Sequence, residues 1–454
     1  MAGLFQVFFW LSRDNLVTLN ENSFEKIESL SYSPFEGYDK NLLSSEQIAY
    51  DVNLFENFTN KLRTYGTLEA YKILQSSKDS NLPIDLGLWI GGDLEANNLE
   101  IQRALEILKE YPNRIQSVIV GNEVLLRKEL EPLELYAYID FMKSHTKKPV
   151  TTAETWDIWE KNPQLASHVD FLTIHILPYW EKVPIERYNE FIIEKYSVVE
   201  ELFPNRKIVI GETGWPSHGY NNNSAIPSIK NQAQAIRGFV NLAHEKGWHY
   251  NIIEALDQPW KGYDEGNVGQ YWGIFTTDRA LKFQLAGEVE LNKYWLYQMI
   301  AAIIIGALLT IFGLKNQRVN ISHAFAYAIA AQGMAFGIVM AAVYPFVNYM
   351  NFGMWIMWGM GSFLMIPLVI ITLAKANELF RSSIGVQPSR LVPLDLKSKN
   401  APLVSIHVPA YKEQPHVLAE TLESLSKLSY PNFQVLVIIN NTPGDFYKPP
   451  IKEL

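Results

Sequence analysis

Two glutamates, Glu123 and Glu212, each follow a short apolar run whose end contains a glycine, at Val120–Asn122 and Ile210–Gly211. Two carboxyl groups can together cleave a glycosidic bond, because one protonates the departing oxygen while the other attacks the sugar or activates water. A separation of about 5–5.5 Å gives retention of configuration, and about 6.5–9.5 Å gives inversion. The sequence does not measure this separation, and a salt bridge at the rim is the ordinary alternative for either glutamate taken alone.

Aromatic and polar residues gather after the same runs and after several others. They are Tyr65, Asn122, His175, Tyr179, Trp180, Trp215, Glu254, Asp257, Trp260 and Lys261. We expect the tryptophans to be platforms for sugar rings and the tyrosines to be hydroxyl partners, with core packing as the open alternative for each aromatic residue. Trp156 and Trp159 are expected to extend the same cleft.

Two interpretations concern the remaining residues of this set. His175 has the chemistry of a metal ligand, but no second histidine stands at ligand spacing, so we expect a hydrogen-bonding rim residue and no bound metal. Glu254, Asp257 and Lys261 are expected to form a charged network that shapes the cleft, rather than a third catalytic group.

Eight short apolar or β-branched runs alternate with stretches of helical period, and this order predicts the fold. The runs are 30–33, 61–65, 84–90, 115–120, 149–153, 169–175, 207–211 and 250–255. Such an order indicates an α/β fold, a closed parallel (β/α)8 or TIM barrel, in which chemistry lies at the C-terminal ends of the strands. Strands four and seven lie on opposite sides of such a barrel, so Glu123 and Glu212 can face each other across its mouth. A doubly wound open sheet is the alternative, but no GxGxxG motif follows the first strand, and we expect no cofactor.

The charge balance and the lack of cysteine exclude several classes of function. A formal net charge of -9 argues against a nucleic-acid partner, because such proteins gain most of their affinity from Lys and Arg at phosphates. Without cysteine the chain has no disulfide, no thiolate nucleophile and no cysteine-based metal site. Its 454 residues leave room for two or three domains.

Three runs without Asp, Glu, Lys or Arg, at 294–314, 321–347 and 352–374, are each long enough for the roughly 20 residues that span a bilayer. Lys315 and Arg318 follow the first run, and five basic residues, among them Arg390, Lys397 and Lys399, follow the third. By the positive-inside rule, the residues after the third run are cytoplasmic and those before the first are extracytoplasmic. We therefore predict three transmembrane helices and a basic cytoplasmic linker at 375–400.

The first 30 residues precede the predicted barrel and contain one apolar stretch, Leu4–Leu11. This stretch is too short to span a bilayer, and it lacks the basic region and the small-residue cleavage site of a signal peptide. Either the true start of the protein is missing or the stretch is the tail of a signal-anchor helix, and we favour the second.

The strings around the two glutamates resemble those of glycoside hydrolase family 17, the β-1,3-glucanases and β-1,3-glucanosyltransferases. The resemblance is carried by Val120–Val124, Ile210–Ser217, Arg63–Thr67, His175 with Pro178–Trp180, and Glu254–Lys261. It covers Ser31–Phe283, and we set the limits of the barrel domain at 31–285. It implies a retaining mechanism with Glu123 as acid/base and Glu212 as nucleophile. It also implies that Asn122 binds the sugar 2-hydroxyl, with a local turn as the alternative. We expect the pKa of Glu123 to be raised by the neighbouring negative charge, while Glu212 stays ionised.

Residues 401–454 predict one βαβ unit, with strands at 403–408 and 433–439 and a helix that begins at Pro415. The string Val404–Glu413 resembles the opening of family 2 processive glycosyltransferases, whose fold is of the GT-A type and whose corresponding turn helps to hold a nucleotide sugar. Asn440 and Asn441 stand where many relatives carry acidic residues, and the later DxD and QxxRW motifs do not follow. We expect this segment to be an incomplete glycosyltransferase that is not active alone, with a nucleotide sugar as a ligand only of the full-length enzyme.

The order of barrel, membrane helices and glycosyltransferase start resembles that of bacterial β-1,3-glucan synthases of the cyclic-glucan type. It implies an inner-membrane protein whose barrel lies on the periplasmic side and meets β-1,3-glucan, or laminari-oligosaccharides, after export. We favour transfer of the cleaved glucan to another sugar. Hydrolysis and a catalytically silent glucan-binding domain remain as alternatives.

Overall fold

The computed structural model describes residues 2–13, 16–19, 26–315, 317–384 and 401–443. Its largest part is a closed barrel of eight parallel strands, each paired with its neighbours in chain order and the last with the first. The strands are β1 (Leu30–Ser31), β2 (Leu62–Arg63), β3 (Ile84–Leu88), β4 (Ile115–Asn122), β5 (Val150–Thr155), β6 (Leu172–His175), β7 (Ile208–Thr213) and β8 (His249–Ile252). All eight predicted strands are confirmed, with ends that differ by a few residues.

Seven helices follow the strands around the outside of the described barrel. They are α1 (Ser45–Phe55), α2 (Thr67–Ser76), α3 (Leu94–Glu110), α4 (Pro132–His145), α5 (Trp156–Lys161), α6 (Tyr188–Leu202) and α7 (Ile229–Lys246). Side-chain caps begin three of them, since Ser44, Asp93 and Ser228 accept hydrogen bonds from the first turns of α1, α3 and α7. Gly247 ends α7 in the left-handed conformation that favours glycine.

The core of the barrel is apolar and continuous. Leu30, Leu86, Val118, Ile174 and Ile210, from five different strands, are fully buried. Their burial is the main stabilising contribution to the fold, and it fixes the strand ends on which the site depends.

A short antiparallel hairpin follows β1, with strands Phe35–Glu36 and Asn41–Leu42 and a tip at Gly37–Lys40. We call it the 35–42 hairpin. A second antiparallel pair joins Leu16–Thr18 to Glu288–Glu290, next to the first long apolar helix.

Three helices, α8 (Trp295–Leu314), α9 (Ile321–Val347) and α10 (Phe352–Ser383), are long and apolar enough to cross a membrane. They coincide with the three predicted spans, and α10 continues beyond residue 374. The helix Ala2–Leu11 packs against α8 and α9, where Trp10 is buried with Ala302 and Val339.

The last described residues form the expected βαβ arrangement, with Val404–Ala410 and Phe433–Ile439 as parallel strands and α11 (Pro415–Ser426) between them. They belong to a second compact unit, separate from the unit that holds the barrel and most of the membrane helices. The greater part of the predicted basic linker, with Arg390, Lys397 and Lys399, lies outside the described residues. So do 444–454 and residues 1, 14–15 and 20–25 of the N-terminal segment.

Candidate active site

The end of β4 places Glu123 through two unusual backbone conformations. Gly121 has a φ of 83° and Glu123 a φ of 55°, and the Glu123 amide donates to the carbonyl of Ala153 on β5. A Cβ on residue 121 would lie 2.5 Å from Cγ2 of Val124, so the turn requires a glycine. A positive φ at a non-glycine residue costs about 1–3 kcal/mol and is concentrated at functional sites.

The end of β7 places Glu212, and Gly211 allows close neighbours there. A Cβ on residue 211 would lie 2.3 Å from Cγ2 of Thr173 and 3.2 Å from both the Arg63 guanidinium and the His175 ring. The contact with Thr173 therefore requires a glycine, and the Arg63 and His175 side chains lie directly against the strand at the same position.

Arg63, at the end of β2, connects the two strand ends. Its guanidinium donates to the Gly211 carbonyl at 2.5 Å and to Oδ1 of Asn122 at 2.6 Å. It also lies 3.4 Å from Oε1 of Glu212 and is 2% exposed. This buried cation therefore holds parts of β4 and β7 in one arrangement and lies next to the Glu212 carboxylate.

His175, at the end of β6, lies between the two glutamates. Its Nδ1 is 2.7 Å from Oε1 of Glu123, and its Nε2 is 3.3 Å from both terminal nitrogens of Arg63. Because a guanidinium can only donate, Nε2 must accept, and the ring proton therefore lies on Nδ1 and is donated to Glu123. The prediction of a hydrogen-bonding role fits this position.

Glu123, His175 and Glu212 each offer a ligand atom, and these atoms lie within 4.8 Å of one another. Such a group has the size of a metal site, and the sequence did not reveal it because its members come from three strands. Arg63, however, directs its positive charge at the histidine nitrogen and at the Glu212 carboxylate. Both groups face a cation already, so the donor set does not fit a metal ion well.

The expectation that the pKa of Glu123 is raised is wrong. Burial favours its protonated form, but the hydrogen bond from His175, together with the charges of Arg63 and Arg127, brings the pKa below its ordinary value. The sequence argument considered only the second carboxylate. In the structure, donors and cations next to Glu123 outweigh both that charge and burial.

Two cavities meet at the glutamates, and both are lined by Glu123, Glu212, Ile253 and Glu265. The first has a volume of about 450 Å³, and we call it the indole arm because Trp156, Trp180 and Trp272 line it. The second has a volume of about 440 Å³, and we call it the charged arm. Its lining includes Lys40, Glu69, Asn122, Arg127, Trp260 and Lys261.

The structure brings most of the predicted residues to these arms. Trp180 is 36% exposed and lines the indole arm, where Trp156 also lies. Tyr65 and Trp260 are half-buried in the charged arm, and the Tyr65 hydroxyl donates to Ser31 at 3.0 Å.

Three predicted aromatic contacts are wrong, because the side chains belong to the core. Tyr179 and Trp215 are fully buried, with the hydroxyl of Tyr179 donating to the carbonyl of Tyr220 and the indole of Trp215 to that of Ile226. Trp159 is also fully buried, and its indole donates to a backbone carbonyl of β6. Packing, which the sequence left open, accounts for all three.

The predicted charged network is two separate ion pairs. Glu254 pairs with Lys261 at 2.8 Å, and Asp257 pairs with Lys282 at 2.7 Å. Of these four residues, only Lys261 lines either arm. Burial disfavours its charged form, but the charge of Glu254 raises the pKa of Lys261, so the ammonium stays charged.

Sequence reasoning missed Arg63 as a site residue, although it opens one of the strings quoted above, and it missed Glu265. Glu265 follows β8 in an irregular loop, where no periodic pattern marks it, and it lines both arms. Burial raises its pKa, and the charges of Glu212 and Glu123 act in the same direction. A third carboxyl group thus lies where the two arms meet.

A family model, described as the BtgE/BtgC glycoside hydrolase domain, matches residues 29–273. Among curated proteins, a glucan 1,3-beta-glucosidase of Schizosaccharomyces pombe is 27% identical over 255 residues, which are 52% of this chain and 79% of that protein. A glucan 1,3-beta-glucosidase of Saccharomyces cerevisiae is 24% identical over 271 residues, covering 53% of this chain and 85% of its own length.

Among solved structures, the glycoside hydrolase family 17 β-1,3-glucanosyltransferase of Rhizomucor miehei is similar with a TM-score of 0.52 and 25% identity. The alignment covers 57% of this chain and 97% of that one. An active-site mutant of the Rhizomucor miehei β-1,3-glucanosyltransferase, in complex with laminaritriose, gives a TM-score of 0.51 at 25% identity and covers 56% of this chain and 95% of that one.

Proposed function

The chain belongs to the family of the BtgE/BtgC glycoside hydrolase domain, and from this premise we propose that its barrel cleaves β-1,3-linked glucan with Glu123 and Glu212 as the catalytic pair. One observation carries the proposal. A carboxylate oxygen of each glutamate lies within 4.8 Å of the other, at the point where two cavities meet. This short distance between the nearest oxygens supports the separation of about 5–5.5 Å that retaining enzymes use over the about 6.5–9.5 Å of inverting enzymes.

Glu212 is the proposed nucleophile. Its Oε1 is buried and has no hydrogen-bond partner among the described residues, while Arg63 lies 3.4 Å from it. An oxygen without a hydrogen bond is free to form the bond to the anomeric carbon. As that bond forms, the glycosidic bond breaks and its electron pair moves to the departing oxygen.

Glu123 is the proposed acid/base. In the first step its proton passes to the departing oxygen, and in the second it takes a proton from the hydroxyl group that attacks the anomeric carbon and releases Glu212. The hydrogen bond from Nδ1 of His175 stabilises the ionised form that the second step needs. Protonated Glu123 therefore forms only at low pH or when substrate displaces this hydrogen bond.

The two arms suit different parts of the substrate. Asn122 lines the charged arm, and an amide beside the acid/base can bind the 2-hydroxyl of the sugar that is attacked, so we assign the cleaved sugar to this arm. The indole arm then receives the leaving group and the acceptor. Trp156 and Trp180, which are not fully buried, offer apolar faces to a sugar ring. A binding arm for an acceptor supports transfer of the glucan over hydrolysis.

We further propose that α8, α9 and α10 cross a bacterial inner membrane and that the barrel lies on its periplasmic side. The length and apolar composition of the helices and the basic residues that follow them support this orientation. Residues 401–454 are proposed to begin a family 2 glycosyltransferase, so that the barrel would remodel a newly exported glucan. The proposed limits of the parts are 1–30, 31–285, 294–374, 375–400 and 401–454.

The proposal is tested with the full chain in detergent micelles and laminari-oligosaccharides of defined length. Products longer than the substrate indicate transfer, only shorter ones indicate hydrolysis, and an unchanged substrate that still binds indicates a silent binding domain. Glu212→Gln should abolish turnover, because an amide cannot form the glycosyl ester. Glu123→Gln should lose most activity on substrates with poor leaving groups, and full activity of either variant would refute the assignment.

A further inference from the structure

The 35–42 hairpin contributes Lys40 to the lining of the charged arm. Its tip is exposed, and each of its strands has only two residues. Tyr38 at the tip makes an edge contact with Tyr263 in the loop that follows β8, with ring centroids 6.4 Å apart. The hairpin and this loop, whose neighbouring residues Lys40, Trp260 and Lys261 line the arm, are therefore in contact.

A second contact at the same place involves a lysine. The Lys40 ammonium lies 4.2 Å from the centroid of the Trp260 ring and 5.0 Å from that of Phe35. Both Lys40 and Trp260 line the charged arm. A sugar ring and an ammonium group use the same apolar face of an indole, so Lys40 and a sugar compete for Trp260.

A buried acid beneath the tip draws Lys40 toward this position. Glu69 lines the arm, is 9% exposed and accepts a hydrogen bond from the Ser33 hydroxyl at 3.1 Å. Burial raises the pKa of Glu69 to about 7, and the charge of Lys40 is the largest influence in the opposite direction. The ammonium is thus attracted both by the indole face and by a carboxylate in the arm.

We propose that Lys40 is a specificity-determining residue, an inference that rests on the proposed function. Lys40 limits how many glucose units of a β-1,3-glucan can lie in the charged arm beyond the cleavage point. While Lys40 covers Trp260, the arm is closed at the hairpin and only short glycone segments fit. A longer segment binds only when its sugar ring replaces the ammonium on Trp260.

The test compares the wild-type chain with Lys40→Ala and Lys40→Met, the second of which keeps the aliphatic stem but lacks the charge. Lys207→Ala is the matched control, because Lys207 is also exposed and its ammonium lies over an aromatic ring, that of Phe171, but it lines neither arm. Laminari-oligosaccharides labelled at the reducing end separate the two fragments, and mass spectrometry gives the length of the unlabelled glycone segment that is released or transferred.

Both Lys40 variants should yield longer glycone segments than the wild type. Their KM for the longest substrates should fall about 2- to 5-fold, the factor that an exposed cation–π contact corresponds to, with kcat unchanged. Wild-type segment lengths in both variants, or a higher KM, would overturn the inference alone. A wild-type chain that leaves every oligosaccharide unchanged would instead overturn the proposed function, and this inference with it.

Discussion

Arg63→Lys should reduce activity strongly while keeping the positive charge. The guanidinium makes two direct hydrogen bonds, to the Gly211 carbonyl and to Oδ1 of Asn122, and a lysine can keep at most one with similar geometry. A hydrogen bond to a charged group contributes about 1.5–3 kcal/mol, so losing one that holds the site in its reactive geometry lowers kcat/KM roughly 10- to 150-fold. Because these bonds position Glu212 and Asn122 at the reacting centre, most of this loss should appear in kcat.

Arg279→Lys provides the control for this change. Arg279 binds both carboxylate oxygens of Asp51, at 2.9 and 3.0 Å, and lines neither arm. It should therefore lose thermal stability and keep its kcat on laminari-oligosaccharides. Initial rates and a thermal melt are measured for both variants. Wild-type kcat/KM in Arg63→Lys, or an equal loss of kcat in Arg279→Lys, would show that Arg63 has no special role in the site.

Three further predictions follow from the contacts described above. His175→Phe removes the hydrogen bond that lowers the pKa of Glu123 most, while burial continues to raise this pKa. The alkaline limb of the pH profile of kcat/KM should therefore move to higher pH, and an unmoved limb would contradict the assignment of Glu123 as the acid. Trp180→Ala should raise KM without changing the melting temperature, whereas Trp215→Ala should cost about 3–5 kcal/mol of stability because the Trp215 ring is fully buried. The reverse pattern would contradict the placement of the two rings. The pKa of Glu69 in the folded state, about 7, exceeds its ordinary value of 4.5, so between these pH values the folded state holds a proton that the unfolded state lacks. The melting temperature should therefore rise as pH falls through this window. Glu69→Gln should flatten this part of the melting-temperature profile, and an unchanged slope in the variant would refute the prediction.

The barrel could be predicted because strand and helix periods differ and alternate over a long stretch of the chain. The positions of Glu123 and Glu212 followed from the rule that strand ends meet at one face, which needs no knowledge of side-chain packing. The direction of the Glu123 pKa could not be predicted, because it depends on Arg63 and His175, which come from β2 and β6.

The aromatic residues show a second limit of the sequence. Tyr179 and Trp180 are neighbours in one loop, yet the first is fully buried and the second faces the indole arm. Loops have no fixed period, so adjacent side chains can point either way. Glu265 escaped prediction for the same reason, since nothing in its loop distinguishes it from a solvent-exposed acid.

The meeting of the two arms at one pair of glutamates has a consequence for kinetics. In the proposed reaction the glycosyl group stays bound to Glu212 in the charged arm, while the indole arm can empty and refill on its own. The intermediate is then a branch point, and its partition ratio is set by how often a sugar rather than water occupies the indole arm. The same protein would act as a hydrolase in dilute oligosaccharide and as a transferase in a dense polymer, with a crossover set by the dissociation constant of the acceptor and by the ratio of the two capture rates.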